Sequence, residues 1–576
     1  MKKYSRPLLA LLLSLIFLIC CSTIFIFADT SNFPTTVAGT DGNILMVNNG
    51  KINFTIVRSS SASQNVLDAA EKLSKAFHTQ FGSTPSTKTD FKRAGAEPDH
   101  SSLEILLGNT SYAESKQALT GLGYGDYIIC FVGNKLVINA ASDTALDKAV
   151  DVLIKQIKRL ADENSLAVPA DFNITASSNK AASALPLYAG GELSSIYDAG
   201  TGCTLIVISA TSAKEYSAYR KRLEQNGYTL YADNEIVSNL FVTYTDNRYV
   251  VNVGYYAAYK ETRITVESLN QTSLPIRETE NTYNRLVEPK LTMIGLEFTA
   301  GGSTTENGMS FIFQLADGSY IVIDGGFNRG RDVGQIYSFM RKNAPDPNNI
   351  TIAAWIITHS HSDHYGAFAY FAKAFSKRVT LENFIANFPS DDARIEGGLA
   401  DEGGYGATLI SCAKRFSGCK IIKAHVGQKF YLRDAEIEIL YTLESYAPNV
   451  LSYFNTSSLV FTVDIADQRF LFLGDASNDA LTITTEMFDD YLESDFVQTA
   501  HHGYTTGSSA YAGVVAAYRL AAAPVVLWPV GDKDYATMYT RTFSAYLQNA
   551  SSTKELLVAG SKNITLNLPY RIGTSY

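Results

Sequence analysis

The residues with the most chemistry to offer are Thr358-His359-Ser360-His361-Ser362-Asp363-His364. The chain has eight histidines in all. Three of them fall in this short stretch, and two more are adjacent at His501-His502. Core packing does not explain such a density. Imidazole and carboxylate groups at this spacing suit a divalent metal, zinc first.

The elements that must position these groups can be read from hydropathy. Ile352–Ile357 is an unbroken apolar run, the pattern of a buried strand. The cluster therefore falls on the loop where a strand ends, where rigid scaffolds present chemistry. Upstream, Leu291–Phe298 and Ser310–Leu315 read as strands. Asp317-Gly318 turns the chain into a further strand, Tyr320–Ile323, which ends at Asp324-Gly325-Gly326. A helix is expected from there to about Lys342.

At 576 residues the chain is too long for one core, and about three domains are expected. Residues 43–175 show strand, helix and hairpin signals, including a helix over Gln64–Phe81, a hairpin across Gly133-Asn134 and a long helix capped by Thr144. The run Glu104–Thr110, with Asp126–Ile129 and Lys135–Ile138, resembles the small α/β domain that often precedes the catalytic barrel of carbohydrate-active enzymes. The resemblance spans about 120 residues and implies an accessory role near polysaccharide; a plain spacer domain reads equally well. Thr175–Ala184 is unpatterned and expected to be a linker. Residues 186–285 read as an α+β sandwich with an antiparallel sheet. Its tyrosines, Tyr244, Tyr249, Tyr255, Tyr256 and Tyr259, would form a face for sugar rings or a partner if exposed. Residues 290–576 form the third unit, which holds the histidines.

Net charge is −9, and loss of Lys2, Lys3 and Arg6 with a leader would make it more negative still. Such a chain has no general attraction to nucleic acid or anionic membranes, although a local basic groove is compatible with it. The basic start Met1–Arg6 and the apolar run Pro7–Phe27 form an export signal over residues 1–28, either cleaved near Ala28-Asp29 or kept as a membrane anchor. The chain is expected outside the cell or on the outer face of the cytoplasmic membrane. Only Cys130, Cys203, Cys412 and Cys419 lie beyond the leader, so no disulfide framework holds the fold. Buried free thiols are the expected state, with a Cys412–Cys419 bridge as the other reading.

His359-Ser360-His361-Ser362-Asp363-His364 resembles the His-x-His-x-Asp-His pattern of the metallo-β-lactamase fold. Three further stretches resemble that fold in order: the hairpin ending at Asp324-Gly325-Gly326, the strand Leu471–Leu473 with Gly474-Asp475, and Gln498-Thr499-Ala500-His501-His502-Gly503. The resemblance covers about 285 residues. It implies an α/β fold, an αββα sandwich at the C-terminus preceded by two smaller α/β or α+β domains. It also implies two divalent ions, zinc or manganese. His359 and His361 would hold one, Asp363 and His364 would turn toward the other, and Asp475 would bridge them. Of the doublet, His502 is assigned to metal and His501 to substrate or proton transfer, with the reverse left open. Asp363 and His501 are the residues expected to act in catalysis itself. Asp324 would orient the histidine loop.

This sequence departs from the pattern in one place. A further histidine expected before the Gly-Asp strand is missing, and Tyr453-Phe454-Asn455-Thr456-Ser457-Ser458 stands there instead. Asn455 would take that space, leaving the first ion short of a ligand. His425, read at the start of a strand over Ala424–Gly427, is the alternative. His78 and His100 are isolated and read as ordinary.

Asparagine before Ser-Leu-Val, then Gly-Asp, then His-His-Gly resembles two relatives: the nuclease domain of competence-type DNA-uptake proteins and the secreted phosphorylcholine esterase of teichoic acids. Both cleave phosphodiesters. The expectation is an exported phosphodiesterase, acting on a cell-envelope polymer or another phosphodiester through a metal-bound hydroxide. Lactone or ester hydrolysis is the competing enzyme reading, and a glycan-binding envelope protein the non-enzyme one. Nucleic acid is disfavoured as substrate by the net charge.

Overall fold

In a computed structural model, the structure describes residues 42–92, 98–200, 202–296, 298–300, 304–306, 308–404, 406–504, 512–538, 547 and 550–574. The expected export signal over residues 1–28 lies outside them. Among the described residues no helix is long and apolar enough to cross a membrane. Contacts divide the chain into two compact units, one ending at Leu187 and one starting at Tyr188.

The first unit is built on a mixed six-stranded sheet, in the order Ser86–Thr89, Thr55–Arg58, Glu104–Leu107, Lys135–Ala140, Asp126–Val132, Asn173–Ser177. Helices Gln64–Phe81 and Asp143–Leu160 bury their apolar stripes on one face, through Leu73, Phe77, Val150 and Leu153. The second helix is capped by Ser142, whose hydroxyl accepts from Ala145 N, and not by Thr144. The expected linker is structured. Asn173–Ser177 pairs with Asp126–Val132 as an edge strand, and Asn179 caps a helical turn over Lys180–Ser183. Its alternate residues are only half buried, so it carries no apolar signal.

In the second unit, residues 192–268 form one antiparallel sheet of six strands. It is a single sheet, not a sandwich of its own, and lies in the same compact unit as the histidine domain. Its helix, Ala213–Gln225, covers one face with Tyr216, Tyr219 and Leu223. The other face meets the C-terminal domain, where Ile236, Phe241 and Tyr256 join a core with Leu471, Met487 and Val497. The expected tyrosine face is therefore not a surface. Tyr244 and Tyr255 are buried on the helix side and Tyr256 on the domain side; only Tyr259 is exposed, and its hydroxyl donates to Glu486 Oε2 at 2.7 Å.

The C-terminal domain has two sheets face to face. One runs Lys420–Lys423, Asn383–Ala386, Ile350–Ile356, Tyr320–Ile323, Phe311–Gln314, Lys290–Met293, Ile564–Asn567. Its middle strands are parallel and buried on both faces, which explains their unbroken apolar runs. The other runs Lys429–Leu432, Ala435–Tyr441, Val460–Ile465, Gln468–Phe472, Phe496–Gln498, Val525–Trp528, Glu555–Val558. Phe311, Phe313, Phe461, Phe470 and Phe472 interlock between them, with Phe311 edge-on to Phe472 at 5.2 Å. Helices Gly330–Asn343 and Ser362–Phe375 cover the first sheet; Asn478–Phe488 and Ala512–Ala521 cover the second. The arrangement is αββα. Cys130, Cys203, Cys412 and Cys419 are free thiols, so the alternative Cys412–Cys419 bridge is not formed.

Candidate metal centre

Four strands end at one edge of the sandwich, and each delivers a polar group there. Tyr320–Ile323 delivers Asp324, Ile350–Ile356 leads to His359, Gln468–Phe472 to Asp475, and Phe496–Gln498 to His501 and His502. Asp475 lies at the middle. Its Oδ2 is 3.1 Å from His364 Nε2, 3.8 Å from His501 Nε2 and 3.9 Å from His359 Nε2. His502 Nε2 is 3.4 Å from Asp363 Oδ2 and 3.3 Å from His364 Nε2. Ligand atoms of Asp363, His364, Asp475 and His502 all lie within 4.8 Å of one another. His361 Nδ1 sits 3.0 Å from His359 Nε2, and the His361 ring stacks on Phe454.

The outer nitrogens are held. His364 Nδ1 donates to Asp324 Oδ2 at 2.7 Å, and His502 Nδ1 donates to the Pro529 carbonyl at 2.8 Å. Each hydrogen bond puts a proton on Nδ1, because its acceptor has none to give, and so turns Nε2 into the centre, toward Asp475 for His364 and toward Asp363 for His502. Asp324 is fully buried and also accepts from Thr358 N and Thr358 Oγ1, both at 2.8 Å.

The doublet needs unusual backbone. His501 and His502 have φ of 49° and 50°, and Gly503 follows at 81°. Non-glycine residues in this left-handed region cost roughly 1–2 kcal/mol each. Such strain persists where packing over-determines the geometry, most often at functional sites. Packing does so here: Trp528 Nε1 donates to His502 O, and its ring lies where a Cβ on Gly503 would have to go, 2.5 Å away.

The field of the cluster is that of a cation site. Burial opposes a charge on His364, yet Asp475, Asp363 and Asp324 hold its pKa well above the ordinary value. Burial likewise opposes ionisation of Asp475, and His364, His502 and His501 hold it well below the carboxylate range. Burial pushes His359 and His501 down, leaving them as neutral lone-pair donors. Among the described residues, buried Asp475 Oδ1 and His501 Nδ1 have no hydrogen-bond partner. The donor set, its second layer and these open atoms fit divalent metal.

Residues 304–510 match the family model described as "Metallo-beta-lactamase superfamily". The C-terminal part of this chain is a metallo-β-lactamase superfamily domain. No curated protein matches the sequence. Among solved structures, the metallo-β-lactamase fold protein YhfI from Bacillus subtilis is 15% identical, with a TM-score of 0.31, over 48% of this chain and 100% of that one. CmlA, a diiron β-hydroxylase from Streptomyces venezuelae, is 14% identical, with a TM-score of 0.31, over 49% of this chain and 54% of that one.

In the metallo-β-lactamase domain the structure brings together His359, His361, Asp363, His364, Asp475, His501 and His502, with Asp324 behind them. Asn455 is buried in a helical turn after Tyr453; its Nδ2 donates to the Tyr453 hydroxyl at 3.0 Å, and its Oδ1 has no partner among the described residues. Two neighbours escaped the sequence reading. Glu402 Oε2 lies 3.8 Å from His361 Nε2. Its loop is tied to the histidine stretch by Gly404 N donating to Ser360 O at 2.6 Å. Burial and the nearby Asp475 push Tyr453 up to about 12. The one available signal for Glu402 was the turn chemistry of Glu402-Gly403-Gly404. His425 lies elsewhere, in a turn beyond Lys420–Lys423 and not in a strand, between Glu444 and Glu267.

Proposed function

We propose that this chain is an exported hydrolase that uses two divalent ions to cleave a phosphodiester. The observation that carries the reading is the convergence of four histidines, His359, His364, His501 and His502, on Asp475, with His361 beside His359 and Asp363 completing a second ligand group. His359 and His361 would hold one ion and Asp363, His364 and His502 the other, with Asp475 between the two sets. Glu402 would supply a further carboxylate beside His361. When bound, the ions supply an acidified water and a Lewis acid for the scissile group.

The chain's own residues do the rest. Asp324 and the Pro529 carbonyl fix the ring orientations and proton positions of His364 and His502. His501, a quarter exposed beside Asp475, is placed to orient the substrate or, once protonated, to hand a proton to a leaving oxygen. The helix Ser362–Phe375 starts inside the centre, and its positive end favours an anionic substrate. Export rests on the sequence of residues 1–28.

The test is elemental analysis of purified residues 29–576 with bis-p-nitrophenyl phosphate and an ester substrate assayed on the same sample. At least two ions per chain with phosphodiester turnover is expected. His361→Ala and Asp475→Ala should each lower that turnover by several orders of magnitude in folded protein. Ester turnover without phosphodiester turnover would overturn the substrate class, and wild-type turnover in either variant the site.

A further inference from the structure

A second group of ligand-type side chains lies away from the catalytic edge, between the antiparallel sheet and the sandwich. Cys203 immediately precedes the strand Thr204–Ser209, and Glu267 lies on the neighbouring strand Glu261–Ser268. His425 reaches them from the sandwich. Cys203 Sγ, a Glu267 carboxylate oxygen and a His425 ring nitrogen all lie within 4.8 Å of one another. The three residues are 1%, 1% and 2% exposed.

Three observations point to a ligand. Thiolate, imidazole and carboxylate are the donor types of zinc sites, and the three come from separate segments that the fold brings together. His425 Nδ1 lies 2.8 Å from Glu444 Oε2, the kind of carboxylate that orients metal-binding imidazoles, and its Nε2 faces Glu267 Oε1 at 2.9 Å, the pair an ion would bridge by displacing the proton between them. Glu444 is itself held by Asn387 Nδ2 at 2.9 Å. Lastly, Glu267 Oε2 is buried with no hydrogen-bond partner among the described residues, a costly state for a carboxylate oxygen. A cavity of about 330 Å³ has His425, Glu444 and Thr265 in its wall.

We propose that Cys203, Glu267 and His425 form a structural site for one divalent ion, zinc by its donor set, which ties the antiparallel sheet to the metallo-β-lactamase sandwich. Binding is redox-neutral. The ion takes the thiolate of Cys203, the carboxylate of Glu267 and Nε2 of His425. It displaces the thiol proton and the proton shared between His425 and Glu267, so two positive charges enter as two protons leave. The proposal does not rest on the hydrolase reading, because the catalytic centre contains no sulfur.

The probe is cobalt(II) titrated into metal-stripped protein. Cobalt bound to thiolate gives an intense near-ultraviolet charge-transfer band that a centre of histidines and aspartates cannot give. The expected result is that band in the native sequence and in a Cys412→Ser/Cys419→Ser variant. Its loss is expected in Cys203→Ser, together with one zinc ion per chain fewer by elemental analysis, while the cobalt spectrum of the catalytic centre and phosphodiester turnover remain. The band should persist in Asp475→Ala. Absence of the band from the native protein overturns the proposal without reference to any variant. An unchanged metal count in Cys203→Ser overturns it equally. A chain with the band but no turnover keeps this site and loses the proposed function.

Discussion

Asp324→Asn tests how the histidine centre is held, with little change in shape. Asp324 has φ of 55°, a conformation that asparagine tolerates, so the backbone should not move. Its Oδ1 accepts from Thr358 N, and asparagine keeps that bond with its carbonyl oxygen. The amide nitrogen then replaces Oδ2, which accepts from both Thr358 Oγ1 and His364 Nδ1. The Thr358 hydroxyl can rotate to accept. His364 cannot keep its proton on Nδ1 facing an N–H donor, so the proton moves to Nε2 and points at Asp475 in place of a lone pair. Turning the amide round only moves the clash to Thr358 N. Loss of an outer-layer partner of this type costs about 10–100-fold in metal affinity or activity, roughly 1.4–2.7 kcal/mol. Calorimetric zinc titration gives the affinity, and urea unfolding in a chelator checks that the metal-free fold survives. A variant that binds zinc within threefold of the native protein and turns over normally would refute the assignment of the proton and the role of Asp324.

Other perturbations follow from the same geometry. Glu402→Gln should bring the metal content of purified protein from near two ions toward one per catalytic centre, measured in a Cys203→Ser background so that the other site does not contribute. Gly503→Ala forces a Cβ against Trp528 at a φ of 81°; a loss of about 2–4 kcal/mol in urea unfolding and weakened metal binding are expected. Arg433 donates to Asp317 and, through two nitrogens, to Glu382, clamping turns of both sheets, so Arg433→Ala should cost about 2 kcal/mol. Burial would raise the Asp317 pKa, but hydrogen bonds from Ser319 and Arg433 hold it below the ordinary 3.8. Its contribution is thus present above that value and lost as pH falls through the folded pKa, and the acid limb of the stability curve should be shallower in Arg433→Ala.

What could be read in the sequence was whatever strand periodicity and local spacing encode. Asp324 and Asp475 each follow an apolar run, so a strand end was evident at both; the His501-His502 doublet was marked only by its resemblance to the family's last histidine motif. The left-handed turn at the doublet was not evident, since it depends on Trp528 lying beneath Gly503. Glu402 and Tyr453 reach the centre from loops whose path is decided by tertiary contacts such as Gly404 to Ser360. The tyrosines of the antiparallel sheet suggested a surface, because a strand pattern cannot show that a helix and a domain cover its two faces. Asn173–Ser177 was unreadable for the opposite reason: an edge strand with half-exposed residues has no apolar period.

The order in which strands close the first sheet bears on how this protein acquires its shape. The strand Lys290–Met293 pairs on one side with Phe311–Gln314 and on the other with Ile564–Asn567. Thr292 Oγ1 and Thr565 Oγ1 meet at 3.0 Å across that last ladder. The first strand of the domain therefore waits for a strand about 270 residues further along the chain. Pairing over so long a loop is slow, and until it forms the first strand has an open edge. A chain emerging from a ribosome or a translocation pore cannot complete the sandwich until Ile564–Asn567 is out. A fragment cut to the matched span 304–510 lacks both partners of that ladder, as well as Val525–Trp528 and Glu555–Val558 of the second sheet. Such a fragment is expected to aggregate, so the boundaries of the family match are not those of a folding unit.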